Sequence, residues 1–171
     1  VLERDNLELV GAVDSRPDLV GQDLGTVLGA GRRLDIPVTE TAAELFDSVE
    51  ADAVIHCTSS SFVVAQPELS EIVRAGLHCV TSCEEALYPY YRHKDLAEEL
   101  NNLCVSHSVS VLGTGVNPGF VMDTLPVVLT AVSQRVEAIR VLRVVNASTR
   151  REALQRKVGA GKTEAEFRAL V

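Results

Sequence analysis

The sequence predicts an α/β fold, a doubly wound parallel sheet with helices on its faces. Strand-like and helix-like segments alternate along the chain with short connections. The strand-like segments are brief, nearly unbroken apolar runs, the pattern of parallel strands covered on both sides. The first, within LELVGAVDSRPD at residues 7–18, stops on an acid followed by a turn.

Leu9, Val10, Ala12 and Val13 carry that first strand, over residues 8–13, and Ser15, Arg16 and Pro17 turn the chain after Asp14. The glycine-rich stretch VGQDLGTVLGAGRRLDIPV reads as a loop. Thr41 and Glu44 are spaced as a capping box for the helix TAAELFDSV. A strand is predicted over 53–57, a helix from Gln66 to Ala75 stopped by Gly76, and a strand from Leu77 to Ser82. Leu96, Leu100, Leu103 and Cys104 share one face of a helix over 93–107, and Val109 to Leu112 complete four strands of one sheet.

Asn117 and Pro118 suit the cap and first position of the next helix, whose apolar face holds Phe120, Val121, Leu125, Val128, Leu129 and Val132. Pro126 predicts a kink there, because it removes the bond to the Met122 carbonyl. VEAIRVLRVV reads as a long strand and Asn146 to Val171 as polar and helical. The predicted division is 1–133 for the sheet domain and 134–171 for the beginning of a second domain.

Of 171 residues, 24 are acidic and 16 basic, a formal net charge of −8. Such a surface repels a phosphate backbone, and no apolar run approaches the roughly 20 residues that cross a bilayer. Neither nucleic acid nor a membrane is an expected partner. No basic, then apolar, then small-residue leader opens the sequence, so the expected compartment is the cytoplasm. Cys57, Cys79, Cys83 and Cys104 lie in or beside apolar segments rather than at the paired spacings zinc requires, which predicts buried thiols and no metal site. His56 and His107 read as a strand end and a helix end.

Open α/β sheets bind ligands outside the carboxyl ends of their strands, and three loops here carry suitable groups. Asp14, with Ser15 and Arg16 beside it, is placed to accept hydrogen bonds from an adenosine ribose. That favours NAD over NADP, since a 2'-phosphate would meet a like charge, although Arg16 softens the preference. Thr58, Ser59 and Ser60 offer hydroxyls and amides to the nicotinamide half. Glu84 and Glu85 end the third loop. For each loop alone, capping of the following helix explains the same residues equally well; the three together favour a dinucleotide. The glycine fingerprint of such folds lies about 20 residues before the ribose acid, so the chain is expected to be a piece of a longer protein, without the first strand and glycine loop.

Four segments, LELVGAVDSRPDLVGQDLG, SCEEALYPYY, GTGVNPGFVMDTLP and NASTRREALQRKVGAGKT, occur in this order and resemble the 2,4-diaminopentanoate dehydrogenase family, relatives of dihydrodipicolinate reductase. The resemblance runs over nearly the whole chain. It implies a Rossmann-type domain followed by the start of an α+β substrate domain, and NAD(P)-dependent oxidative deamination of a small diamine or amino acid. It implies a small-molecule amine as the substrate and a homo-oligomer, a dimer, as the working form. Gly115, Asn117, Pro118 and Gly119 would bring backbone close to the nicotinamide ring, Asn117 also to the substrate. Glu84 or Glu85 would orient the amine, with Tyr88 as a hydroxyl contact. No residue is singled out as the general base.

Neighbouring families fit less well. Dihydrodipicolinate reductases carry paired histidines and a lysine-bearing loop where this chain reads RVVNASTRREALQRKVGAGKT, which has no histidine. Sugar-type oxidoreductases place Glu-Lys-Pro where VTSCEEALYP is acidic, and a pair of carboxylates suits an ammonium or iminium. GAGKT at residues 159–163 is not a P-loop, because Arg156 stands where the first glycine belongs; it reads as an ordinary helix start, with a helix N-terminus facing an anionic substrate or product as the lesser alternative. The competing reading is a dihydrodipicolinate reductase-like enzyme or a non-catalytic dinucleotide-binding piece.

Overall fold

The computed structural model describes residues 1–150 and 152–169; the helical expectation at Arg151, Leu170 and Val171 lies outside them. Val1–Val128 form one compact unit and Leu129–Val171 a second. In chain order the first holds β1 (Ala12–Val13), α1 (Leu24–Val27), β2 (Val38–Thr39), α2 (Ala42–Phe46), β3 (Ala53–His56), α3 (Phe62–Arg74), β4 (His78–Thr81), α4 (Lys94–His107) and β5 (Val111–Gly113).

All strand pairs are parallel, as expected, but they form two ladders rather than one sheet. β1 pairs with β2, setting Ala12 opposite Val38, and β3, β4 and β5 form a separate three-stranded sheet with β4 in the middle. β2 emerges from the far end of the glycine-rich stretch read as a loop. Only two residues long, it has no period of its own and exists through its partner. The same stretch contains α1, closed by the Asp23 carboxylate, which accepts the amides of Thr26 at 3.3 Å and Asp35 at 2.7 Å.

The core lies between one face of the three-stranded sheet and the helices α3 and α4. Phe62, Ala65, Leu69, Ile72 and Val73 bury the face of α3, and Ala97, Leu100 and Cys104 that of α4. Strand alternation sends Cys79 and Thr81 of β4 into this core and leaves His78 and Val80 exposed. On the opposite face Ile55, Val80 and Leu112 stand in register across three strands and remain exposed. α3 begins at Phe62, a turn before the predicted Gln66, with Pro67 inside it. Its first amide is satisfied by Glu85, 23 residues further along, so the early start has a long-range cause.

The chain beyond β5 corrects the reading of Asn117 as cap and Pro118 as first helical position. The Asn117–Pro118 peptide is cis, and helical backbone starts at Phe120. Phe120, Val121 and Thr124 donate to the carbonyls five residues back, Gly115, Val116 and Gly119, at 2.9, 2.9 and 3.0 Å. This wide turn leads into α5 (Leu125–Leu129), whose second residue is Pro126; the predicted irregularity is a wide turn rather than a bend within one helix.

Residues 134–146 form no strand, contrary to the long strand predicted for VEAIRVLRVV. Apolar, β-branched composition suits a strand, but a strand is made by its ladder, and no described segment pairs with this one. The second unit continues with α6 (Glu152–Lys157) and α7 (Glu164–Arg168). Thr163, the last residue of GAGKT, caps α7 in a reciprocal box with Glu166, which agrees with an ordinary helix start.

Candidate functional site

Three loops leave the carboxyl ends of β3, β4 and β5 and meet. After β3, Thr58, Ser59 and Ser60 run toward α3. After β4, a tight turn at Glu84–Leu87 and another at Pro89–Tyr91 lead to α4. The Glu85 amide donates to the Ser60 carbonyl at 3.3 Å, and the Thr114 amide after β5 to the Thr81 carbonyl at 2.9 Å. Gly113 lets the acidic turn cross close over β5: a Cβ at this position would lie 2.2 Å from the Ala86 carbonyl oxygen.

An open cleft of about 270 Å³ lies along the acidic loop, lined by Glu84, Glu85, Tyr88, Tyr91, Arg92 and His93 among others. The two carboxylates differ in situation. Glu85 Oε2 accepts the Phe62 amide at 2.8 Å and lies 3.3 Å from His93 Nε2, without hydrogen-bond alignment; Arg92 is 3.7 Å from Oε1. The Phe62 N–H, followed by the charges of His93 and Arg92, holds the Glu85 carboxyl below its ordinary range. Glu85 therefore ties the loop to the start of α3, while Glu84 shares the cleft with the exposed Tyr88 and Tyr91.

Gly115 and Gly119 serve their own turn. A Cβ on Gly119, whose φ is 132°, would lie 2.3 Å from the Gly115 carbonyl oxygen, and one on Gly115 would lie 2.8 Å from the Pro118 carbonyl oxygen. The close backbone approach inferred from these glycines is thus made by the segment to itself. Asn117 and Pro118 are half-buried in it, and Asp123 Oδ2 accepts the Gly119 amide at 2.7 Å.

Asp14, Ser15 and Arg16 follow β1, on the two-stranded ladder and apart from the other three loops in hydrogen bonding. Asp14 Oδ1 accepts the Arg16 amide at 2.9 Å, and the Arg16 guanidinium grips Asp18 through Nε at 3.1 Å and Nη2 at 2.5 Å. The pair raises the Arg16 pKa and lowers that of Asp18.

A buried network at the end of β3 escaped the sequence reading. His56 is 5% exposed; its Nδ1 lies 2.8 Å from Thr81 Oγ1, and its Nε2 lies 2.7 Å from Glu68 Oε2 and 2.9 Å from Thr58 Oγ1. Thr58 Oγ1 also donates to Glu68 Oε2. One signal was available: alternation from Val54 points His56 inward, and a polar residue on a core face needs a partner.

The donor set fits a nicotinamide dinucleotide in part. A carboxylate beside a turn suits ribose hydroxyls, and the Thr58–Ser60 hydroxyls suit a carboxamide or sugar. The start of α3 does not suit a phosphate, since the Glu85 carboxylate already holds its first amide. The 171 residues contain no Gly-x-Gly-x-x-Gly run to grip a pyrophosphate. Among the described residues, no group of three His, Cys, Asp or Glu side chains could hold a metal ion, and no helix is long and apolar enough to cross a membrane.

Residues 1–82 match the family described as dihydrodipicolinate reductase, N-terminus. Over 169 residues the chain is 31% identical to a 2,4-diaminopentanoate dehydrogenase of Acetoanaerobium sticklandii, an alignment covering 98% of this chain and 47% of that protein. It is 26% identical over 147 residues to an amine dehydrogenase of Streptomyces virginiae, covering 84% of this chain and 40% of the relative. Among solved structures, the amine dehydrogenase from Mycobacterium smegmatis superposes with a TM-score of 0.67 at 32% identity, over 72% of this chain and 36% of that one. The chain spans about half the length, or less, of the curated relatives it matches.

Proposed function

Because the chain is a relative of 2,4-diaminopentanoate dehydrogenase and of amine dehydrogenases, we propose that it serves an NAD(P)-dependent oxidative deamination of a small diamine or amino acid. The observation that carries this reading is the direct bond between the Ser60 carbonyl and the Glu85 amide, which sets a hydroxyl-bearing loop beside an acidic, aromatic cleft. The first suits the carboxamide of a nicotinamide and the second a cationic substrate, so the two reactants would lie side by side.

When bound, the dinucleotide supplies the hydride acceptor for the carbon bearing the amine. Thr58, Ser59 and Ser60 hold its nicotinamide half, and Asp14 its adenosine ribose. Glu84 attracts and orients the substrate ammonium, with the Tyr88 ring and hydroxyl beside it. Glu85 fixes the loop that carries Glu84. Part of the wall would be the self-closed turn from Gly115 to Gly119, with Asn117 in it.

NAD is the preferred cofactor. Asp14 would repel a 2'-phosphate, and Arg16, the cation that could receive one, is engaged by Asp18, leaving two carboxylates against one guanidinium in this loop. The test uses the protein expressed from its complete coding sequence, with a panel of small diamines and amino acids and either cofactor, followed by the absorbance of reduced nicotinamide. Turnover of an amine with release of ammonia is expected. Glu84→Gln should lower kcat/KM by about tenfold or more while NAD affinity holds, as loss of a charge-assisted contact predicts. A protein that oxidises alcohols and no amine would overturn the reading.

A further inference from the structure

We propose that His56 is a positioning residue that locks the Thr58–Ser60 loop and the acidic turn after β4 into one rigid unit; this rests on the cofactor and substrate roles given to those loops above. His56 and Thr81 are paired across β3 and β4 at the last position of each strand, directly beneath both loops. Thr81 is fully buried, and its Oγ1 accepts the Cys83 amide at 3.0 Å. The Glu68 carboxylate can only accept, so Nε2 is the nitrogen that carries a proton toward it, and Nδ1, 2.8 Å from Thr81 Oγ1, receives the Thr81 hydroxyl proton. The Nε2 proton is then left for Glu68 Oε2 and Thr58 Oγ1. The network thus assigns the tautomer and runs unbroken from the Cys83 amide through one imidazole to the Thr58 hydroxyl.

A second set of backbone bonds runs alongside. The Ser82 amide donates to the His56 carbonyl at 2.9 Å and the Glu85 amide to the Ser60 carbonyl at 3.3 Å. The ring is the only side chain among the described residues that bonds to both the Thr58 and the Thr81 hydroxyls. An apolar residue of similar shape would fill the core equally well, yet the position holds a histidine with both nitrogens engaged. Its contribution beyond packing is therefore directional: it fixes which way Thr58 points and where the turn bearing Glu84 begins.

The experiment measures amide hydrogen exchange and NAD affinity on the protein from its complete coding sequence. In His56→Phe, exchange should rise by about tenfold or more in residues 57–61 and 82–86 together, while the amides of α4 keep wild-type protection. NAD should bind about tenfold more weakly, the factor expected for one lost network bond. Thr81→Val, which keeps the His56 bonds to Glu68 and Thr58, should raise exchange in 82–86 alone, and Thr81→Ser should keep wild-type behaviour. If His56→Phe does not fold, His56→Gln, which keeps a donor toward Glu68 and loses the Thr81 bond, should loosen 82–86 alone. Exchange that rises in only one loop of His56→Phe, or NAD affinity unchanged when both loops loosen, overturns the proposal. Wild-type protein that fails to bind NAD sinks the cofactor reading instead, and the exchange data then judge the coupling by themselves.

Discussion

Glu85 and Phe62, 23 residues apart, are joined by a 2.8 Å hydrogen bond in which the carboxylate caps the first amide of α3. A loop side chain thereby starts the helix that supplies more of the core than any other element. Because its partners favour the charged form, the folded-state pKa of Glu85 lies below the ordinary value of 4.5. A depressed carboxyl contributes stability above its unfolded pKa, and that contribution is lost as pH falls through the folded one. Wild type should therefore be more stable than Glu85→Ala at pH 6, by about 0.5–2 kcal/mol as for other helix caps. Denaturant titrations at stepped pH should show the gap closing as the medium becomes more acidic than the ordinary value. A gap that persists unchanged at about pH 2, below the usual carboxylate range, would mean that the contact works through packing.

On the role proposed for Asp14, Asp14→Ala should narrow a preference for NAD over NADP, since it would remove both the ribose acceptor and the charge that repels a 2'-phosphate. Asp18→Ala should move the ratio in the same direction, by freeing Arg16 from its carboxylate partner. Calorimetric titration of both cofactors into each variant reads this out. An unchanged ratio in both variants removes the loop from cofactor recognition.

Leu69→Ala empties a site on α3 that has no exposure at all. The loss should be about 2–5 kcal/mol, since the surrounding α3, α4 and sheet contacts relax only partly around the missing atoms. Urea unfolding measures it, and a loss near 1 kcal/mol would show that the α3–α4 interface collapses freely.

The four thiols should divide sharply in alkylation. Cys57 is exposed, whereas Cys79, Cys83 and Cys104 are buried. Burial pushes the Cys79 thiol up to about 11 and raises the other two. At neutral pH one equivalent of iodoacetamide should react quickly, at Cys57, and three only on unfolding; mass spectrometry of the peptides identifies each.

The α/β character, α4 and β4 were legible because their signals are local and long enough to repeat. Leu96, Leu100 and Cys104 mark a helix face whatever lies beyond it, and Thr41 caps α2 through the Glu44 amide at 3.3 Å, as its spacing predicted. What was not legible depends on partners distant in sequence. Val38 and Thr39 become β2 by meeting Ala12 and Val13, and Phe62 opens α3 because Glu85 reaches it. The error at 136–145 has the same root with opposite sign, since a strong local strand pattern found no ladder to join. At the site, residue types marked the loops but not their division of labour. Only the fold separates Glu85, a tie to α3, from Glu84 in the cleft, and only the register reveals His56 beneath them.

The crossing at Gly113 bears on ancestry. The obstacle to a side chain there is the Ala86 carbonyl, backbone that no rotamer change can move aside. Mutation at 113 is therefore closed unless the acidic turn has first taken another route, and the two features must be inherited together. Among homologues, glycine at this column should mark lineages that keep the Glu84–Leu87 path. A bulkier residue should mark those whose acidic loop has diverged.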